Sequence, residues 1–270
     1  MSHKMKIFCV TDVESKILEE LNLILVGVGK RKFSKNYINI KNRDNIQSKE
    51  KNYSELTFHY WFWKNKLNNF DQNTWIGFSQ KRRFWLKKNL KVNKLKDLKK
   101  NLLKEVPSAW KNYQSVICKP ISVKNPKKIK LIKRGWKNLI DDPTIFFKKN
   151  KQSIKLHFDM HHGYGVIDKA IDMMNLDDRE EFRKYINKKN KFNPNIMYIS
   201  KKKILQKWFK DLFNWLFDCE KIFGIEKLSG YDQQRLYAYL AERYASFWFK
   251  KYSKFIAWHW TFFDTKNENL

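Results

Sequence analysis

Cysteine is scarce in this sequence. Cys9, Cys118 and Cys219 are odd in number, far apart and outside any metal-ligand spacing, which excludes a disulfide framework and a zinc site and leaves reduced thiols as the expectation. Acidic side chains are also few, with 27 Asp and Glu against 57 Lys and Arg, for a formal charge of +30. No uninterrupted apolar run is long enough to span a bilayer. The short apolar run at residues 7–10 meets Asp12 and Glu14 at once, unlike a secretory signal, so a cytoplasmic protein is expected. Gly27 and Gly29 do not make a dinucleotide-binding fingerprint.

Apolar and aromatic bulk, by contrast, is plentiful. With 42% hydrophobic and 16% aromatic residues, the 270-residue chain can bury a sizeable core as one large domain or two tightly joined halves. A disordered basic tail is excluded. The charge suits nucleic acid, an anionic membrane surface or a phosphate-bearing substrate. Abundant lysine and asparagine also follow from a biased genome composition, so the charge by itself assigns no function.

The most informative stretch is residues 54–85, SELTFHYWFWKNKLNNFDQNTWIGFSQKRRFW. Leu56, Tyr60, Trp63 and Lys64 share a helical face with Trp61 beside them, Ser54 is placed to cap that helix, and Thr57 falls in its first turn. After a polar break, Trp75-Ile76-Gly77-Phe78 is too short and apolar for a surface helix and reads as a buried strand. Its carboxyl end emits Gln80, Lys81, Arg82 and Arg83, the position at which open α/β sheets bind ligands. A solvated charge run is the competing reading.

Around this stretch the pattern is α/β. Residues 6–10 read as a first strand, Thr11-Asp12 as a polar turn, residues 13–21 as a helix and residues 23–28 as a second strand. Residues 42–52, with Asp44 and Asn45, form a loop. Residues 86–105 read as a basic helix burying Leu95, Leu98, Leu102 and Leu103, residues 114–118 as a strand, and residues 124–137 as a lysine-rich loop that is solvated or membrane-facing. His157, Asp159, His161 and His162 gather ahead of a helix expected from about Val166. H-x-D-x-H-H carries no established metal spacing, so no metal is assigned to it. Residues 191–200 are strand-like and opened by Asn193 and Asn195, and residues 202–223 are the clearest helix, with a Trp/Phe stripe at core spacing.

The segments ELTFHYWFWKN and IGFSQKRRFW resemble the paired signatures of bacterial capsular-polysaccharide and O-antigen glycosyltransferases, ELT-x-x-YW-x-WKN and G-x-x-HYRR-[YF]-F. Gln80 and Lys81 depart from the second, standing where the family has His and Tyr. The resemblance implies an α/β fold of the glycosyltransferase A type, with a largely parallel sheet flanked by helices. In one glycosyltransferase domain, residues 1–123 would be the nucleotide-sugar-binding half and residues 124–270 the acceptor half with C-terminal helices.

The same resemblance implies donor-binding roles for Glu55, Thr57, Tyr60, Lys64 and Asn65 in the first signature and for Gln80, Arg82 and Arg83 in the second. Thr11, Asp12, Asp44 and Asn45 are chemically fit to hold a nucleotide's base and ribose, although Asp and Asn also populate turns. On the acceptor side it suggests His162, Asn193, Asn195 and Arg243, with a strand-entry turn as the bland alternative for the asparagines. Asp159 and Glu242 are the candidates for the general base of an inverting transfer, Asp159 preferred because Arg243 adjoins Glu242 and the two would also make an internal ion pair. No cofactor is implied beyond the nucleotide-sugar donor. A divalent metal stays open, with Asp141-Asp142 or Asp177-Asp178 as its alternative ligands.

Partners expected on this reading are a nucleotide-sugar, a glycan or lipid-linked glycan acceptor, and an anionic membrane surface met through the aromatic, lysine-bearing tail at residues 245–263. A last core helix with snorkelling lysines explains that tail equally well. The rival function is a nucleic-acid-binding protein without enzymatic activity. Against it, the aromatics fall at helix-core spacing instead of interleaving with basic residues.

Overall fold

A computed structural model describes residues 4–265. The chain divides into two compact units, the first built, within the described residues, from 4–119, 195–210 and 248–265 and the second from residues 120–194 and 211–247. The strands are β1 (Met5–Thr11), β2 (Ile24–Gly27), β3 (Tyr37–Asn39), β4 (Trp75–Gln80), β5 (Arg83–Trp85), β6 (Ser115–Cys118), β7 (Ile121–Ser122), β8 (Lys191–Phe192), β9 (Tyr198–Lys201), β10 (Phe255–Trp258) and β11 (Trp260–Phe262). The helices are α1 (Lys16–Glu19), α2 (Glu50–Tyr53), α3 (Leu56–Asn65), α4 (Leu95–Asn101), α5 (Lys128–Asp141), α6 (Ile154–His162), α7 (Val166–Asp172), α8 (Leu176–Lys188), α9 (Lys202–Phe223), α10 (Tyr231–Gln234) and α11 (Leu236–Tyr252).

The first unit is a mixed α/β layer structure whose sheet runs β10-β6-β9-β4-β1-β2-β3. All pairings along that path are parallel except the two made by β9, and the antiparallel pair β5-β11 extends it from β4. Continuous apolar runs explain the parallel core: β4 is buried throughout, and in β1 residues 7–11 are buried on both faces, as strands covered by helices must be. Phe8 and Phe78 face α3, where Phe58 and Phe62 meet them at ring separations of 5.0–6.0 Å. On the opposite face Cys9 packs with Ile17, Leu18 and Leu98. Gly77 is required at the sheet centre, because a Cβ there would meet Ile199 Cγ1 at 2.7 Å.

The second unit is mainly helical. It contains α5 to α8, α10 and the adjoining parts of α9 and α11, with β7 and β8 as a small antiparallel pair. Phe182 and Tyr244 pack on Trp215, whose indole donates to Ala170 O at 2.7 Å.

Several sequence expectations need correction. Ser54 is not an N-cap: it holds φ 52° ahead of the helix, and Glu55 occupies the cap position without a side-chain bond. The helix expected over residues 86–105 shrinks to α4. Leu86 bridges to Leu102, and the Lys87 and Leu103 amides donate to Asn101 and Trp85 carbonyls, so strand-type pairing takes the backbone at both ends. The loop expected over residues 124–137 is mostly α5, held by the buried stripe Leu131, Gly135 and Asn138 that its lysines disguised. The His-rich segment is itself helical (α6). The aromatic tail carries β10 and β11 into the sheet of the first unit, with Trp248, Phe249 and Phe263 buried and Phe262 exposed.

Candidate functional site

In the first unit, parallel register brings the ends of β1, β2 and β4 together: Thr11 is level with Gly27, and Val10 with Gln80. Thr11 is the last residue of its strand, and its hydroxyl donates to Val13 O at 2.5 Å, which turns the chain and leaves Asp12 at the sheet edge. Past Gln80 the chain makes a two-residue hairpin at Lys81-Arg82 and returns as β5, with Gln80 paired to Arg83. Lys81 forms an ion pair with Asp12. Arg83 donates to Gln80 Oε1 at 2.9 Å, and the Arg82 guanidinium lies 5.6 Å from the Phe262 ring centre. Among the described residues neither arginine forms an ion pair, and Arg82 Nε is buried without a hydrogen-bond partner. Two guanidiniums without an ion pair among the described residues thus stand at the carboxyl end of a buried strand, a group type whose fixed charge and forked donors suit anions.

The first sequence signature turns inward. Tyr60 donates to Asp44 Oδ1 at 3.1 Å, Trp61 Nε1 to Asn42 O at 2.9 Å, and Asn65 Nδ2 to Asp44 O at 2.8 Å, so three residues of α3 pin the loop at residues 42–44. Burial and the neighbouring Asp44 carboxylate push the Tyr60 phenol up to about 12. Asn45 folds the loop on itself, donating to Lys41 and Arg43 carbonyls and accepting from the Gln47 amide. Thr57 is fully buried with its hydroxyl on Ser54 O, which removes it from any ligand. Lys64 Nζ lies 4.0 Å over the Trp63 ring. Gly29, at φ 87°, makes the turn in which its carbonyl accepts from Gln47 Nε2 at 2.7 Å.

In the second unit, Asp159 is a junction and not an exposed base. Its side chain is wholly buried, Oδ2 accepts from Asn138 at 2.7 Å and Lys155 at 2.6 Å, and Oδ1 accepts from the Gly165 amide at 3.2 Å. Three of the carboxylate's four acceptor positions are thus taken within the protein, against the expectation of an open general base. His162 is enclosed likewise. Its ring stacks on Tyr239 at 3.8 Å, Nδ1 meets Asp232 O at 2.8 Å, and burial together with Arg243 lowers its pKa to about 3.

Arg243, expected to bind acceptor, is 2% exposed. It lies 3.8 Å over the Phe192 ring, is ion-paired to Glu242, and contacts His157 Nδ1 at 3.2 Å. Glu242 keeps 17% of its side-chain surface open. The peptide of Asn193 is fixed by Ser246, whose hydroxyl accepts from its amide and donates to its carbonyl, and Asn195 takes φ 66°, a turn conformation that asparagine tolerates. Asp142 is spent on Lys151 and Thr144, and Asp178 accepts from Tyr244.

Sequence reasoning named His157 and His161 in the ionisable cluster but gave them no role. Their i, i+4 spacing on α6 puts the rings 4.7 Å apart on the wall of a cavity of about 230 Å³, shared with Lys124, Lys127 and Lys130. Once this segment is read as a helix, that spacing is the signal. A cavity of about 780 Å³ in the first unit, lined by Trp75, Trp110, Lys104 and Lys201, opens at the amino ends of β1 and β4, away from the Gln80 edge. Among the described residues no group of three His, Cys, Asp or Glu side chains is arranged to hold a metal ion.

This is the architecture of an α/β protein with a largely parallel sheet and a cationic strand-end cluster. The chain belongs to the family described as a domain of unknown function, DUF4422, whose model matches residues 6–253. No curated protein matches it. Its fold is similar to that of the apo structure of WbbM, a bifunctional glycosyltransferase, with a TM-score of 0.68 and 17% identity over 97% of this chain. The match covers 46% of the WbbM chain, so this chain spans a little under half of that protein.

Proposed function

We propose that this protein is a glycosyltransferase of the A type, moving a sugar from a nucleotide-sugar donor to a surface-polysaccharide acceptor. The observation that carries the reading is the chain-long likeness of fold to a glycosyltransferase. It is supported by the edge where β1 and β4 end, which presents Asp12, Gln80 and two arginines that form no ion pair among the described residues, where open α/β sheets take nucleotide ligands. Asp12 suits a ribose hydroxyl, and Arg82 and Arg83 suit a diphosphate. Tyr60 and Asn65 act through the loop that carries Asp44 and Asn45. With Asp159 enclosed, Glu242 is the carboxylate proposed as base, since it alone of the two candidates keeps access to solvent and Arg243 fixes its position.

The test is a panel of nucleotide-sugars scored by thermal shift and by release of nucleoside diphosphate. One donor class should raise the melting temperature and turn over. Steeply salt-dependent binding of single-stranded RNA, with no response to any nucleotide, would overturn the proposal in favour of a nucleic-acid-binding protein.

A further inference from the structure

Helix α5 has two apolar faces and only one of them is covered. Leu131, Gly135 and Asn138 are buried, and Leu131 packs with Leu156 and Met160. Ile129, Ile132, Trp136 and Ile140 are exposed at 67%, 53%, 51% and 69%. At about 100° per residue these four fall within an arc of roughly 80°, a continuous stripe along the helix and not scattered exposures. Along one flank of the stripe, between it and the buried face, the same rotation places Lys133, Lys137, Lys130 and Arg134, while Asp141 is the helix's only acidic residue. Lys137 Nζ lies 5.5 Å over the Trp136 ring, so cation and indole are already side by side. Phe147, in the short turn that follows, is 80% exposed and precedes Lys148 and Lys149.

We propose that α5 is the surface by which this protein lies on an anionic bilayer, with Ile129, Ile132, Trp136 and Ile140 entering the boundary between headgroups and acyl chains and the adjoining lysines engaging lipid phosphates. An apolar stripe bordered by lysines, with tryptophan at its centre, is the pattern of an interfacial helix. Charge selects the occupant. A second copy would bring the same lysines face to face in a chain of net charge +30, whereas an anionic membrane neutralises them. No helix among the described residues is long and apolar enough to cross a membrane, so attachment here is to the surface.

The inference does not depend on the transferase reading, because the test reads binding alone. The full chain is sedimented with vesicles of phosphatidylcholine, with and without phosphatidylglycerol, at low and high salt, alongside two variants. Ile132→Ser/Trp136→Ser keeps every charge, and Lys130→Gln/Lys133→Gln/Lys137→Gln keeps the stripe. All five positions are exposed, and unchanged denaturation midpoints verify that both variants fold.

The wild type should partition to the anionic vesicles and be released by salt. The serine variant should lose about tenfold or more in partitioning, since two buried apolar side chains are removed. The glutamine variant should lose its preference for anionic lipid. Equal sedimentation of the serine variant and the wild type would leave only non-specific charge and overturn the proposal. So would a wild type that ignores anionic vesicles, or a wild-type dimer that the serine variant converts to monomer.

Discussion

Asn138 donates to Asp159 Oδ2 at 2.7 Å, and this bond ties α5 to α6 beneath the exposed stripe. With Lys155 and the Gly165 amide completing the set, the carboxylate is a buried hub. Asp159→Asn should therefore cost about 1–3 kcal/mol of stability, through lost charge-assisted bonds, while transfer per folded molecule stays near that of the wild type. Glu242→Gln should remove turnover outright, and it should also lower the unfolding midpoint, because it leaves the buried Arg243 guanidinium without its counter-charge. Urea midpoints and single-turnover rates on the two variants separate these roles. An inactive but fully stable Asp159→Asn would return that residue to the chemistry.

Tyr60 tests whether the first signature works through its loop. Tyr60→Phe removes only the hydroxyl that reaches Asp44 and should cost about 1 kcal/mol. If the pinned loop positions the donor, that loss appears as a severalfold rise in donor KM with kcat little changed. An unchanged KM would mean that the loop does not touch the donor.

Acid should destabilise this protein through three histidines held neutral. Burial lowers His59 to about 3, His157 to about 2 and His162 to about 3, and Arg243 depresses the last two further. Their unfolded value is about 6.5, so below that pH the unfolded chain binds protons that the folded one refuses. Stability is then complete above about pH 6.5 and falls as pH drops, by about 1.4 kcal/mol per pH unit for each ring. Denaturant midpoints measured from about pH 7 to about pH 5 should decline steeply, and His162→Gln should flatten the decline by roughly one ring's share. A flat profile would show that the rings titrate freely.

The sequence was legible where one physical signal dominated. Continuous apolar runs marked β1 and β4, and the Trp/Phe stripe marked α9 to the residue. It was opaque where two signals competed. Lysines on three sides of α5 hid the stripe Leu131-Gly135-Asn138, and the titratable look of H-x-D-x-H-H hid a helix that turns Asp159 inward and aligns His157 with His161. The basic cluster after β4 was found by position alone. Which of its members is neutralised, Lys81 by Asp12 and, among the described residues, neither arginine by a carboxylate, depends on a residue 69 positions away and is invisible in one dimension.

That asymmetry carries the last prediction. Metal-dependent A-type enzymes hold a divalent cation against the donor's two phosphates with an Asp-x-Asp pair, whereas the comparable strand end here offers Gln80, Arg82 and Arg83. A guanidinium supplies permanent charge and a forked set of donors, so two of them can offset the charge that develops on a departing diphosphate. Each such bond contributes about 1.5–3 kcal/mol, so Arg82→Ala/Arg83→Ala should lower the transfer rate roughly a hundredfold to ten-thousandfold. Stability should hardly change, because neither arginine has an ion pair to lose among the described residues. Arg82→Lys should recover only part of the rate, a point charge lacking the fork. Turnover should persist in EDTA. Activity that vanishes with the chelator and returns with manganese would assign the diphosphate to a metal and reduce the arginines to bystanders.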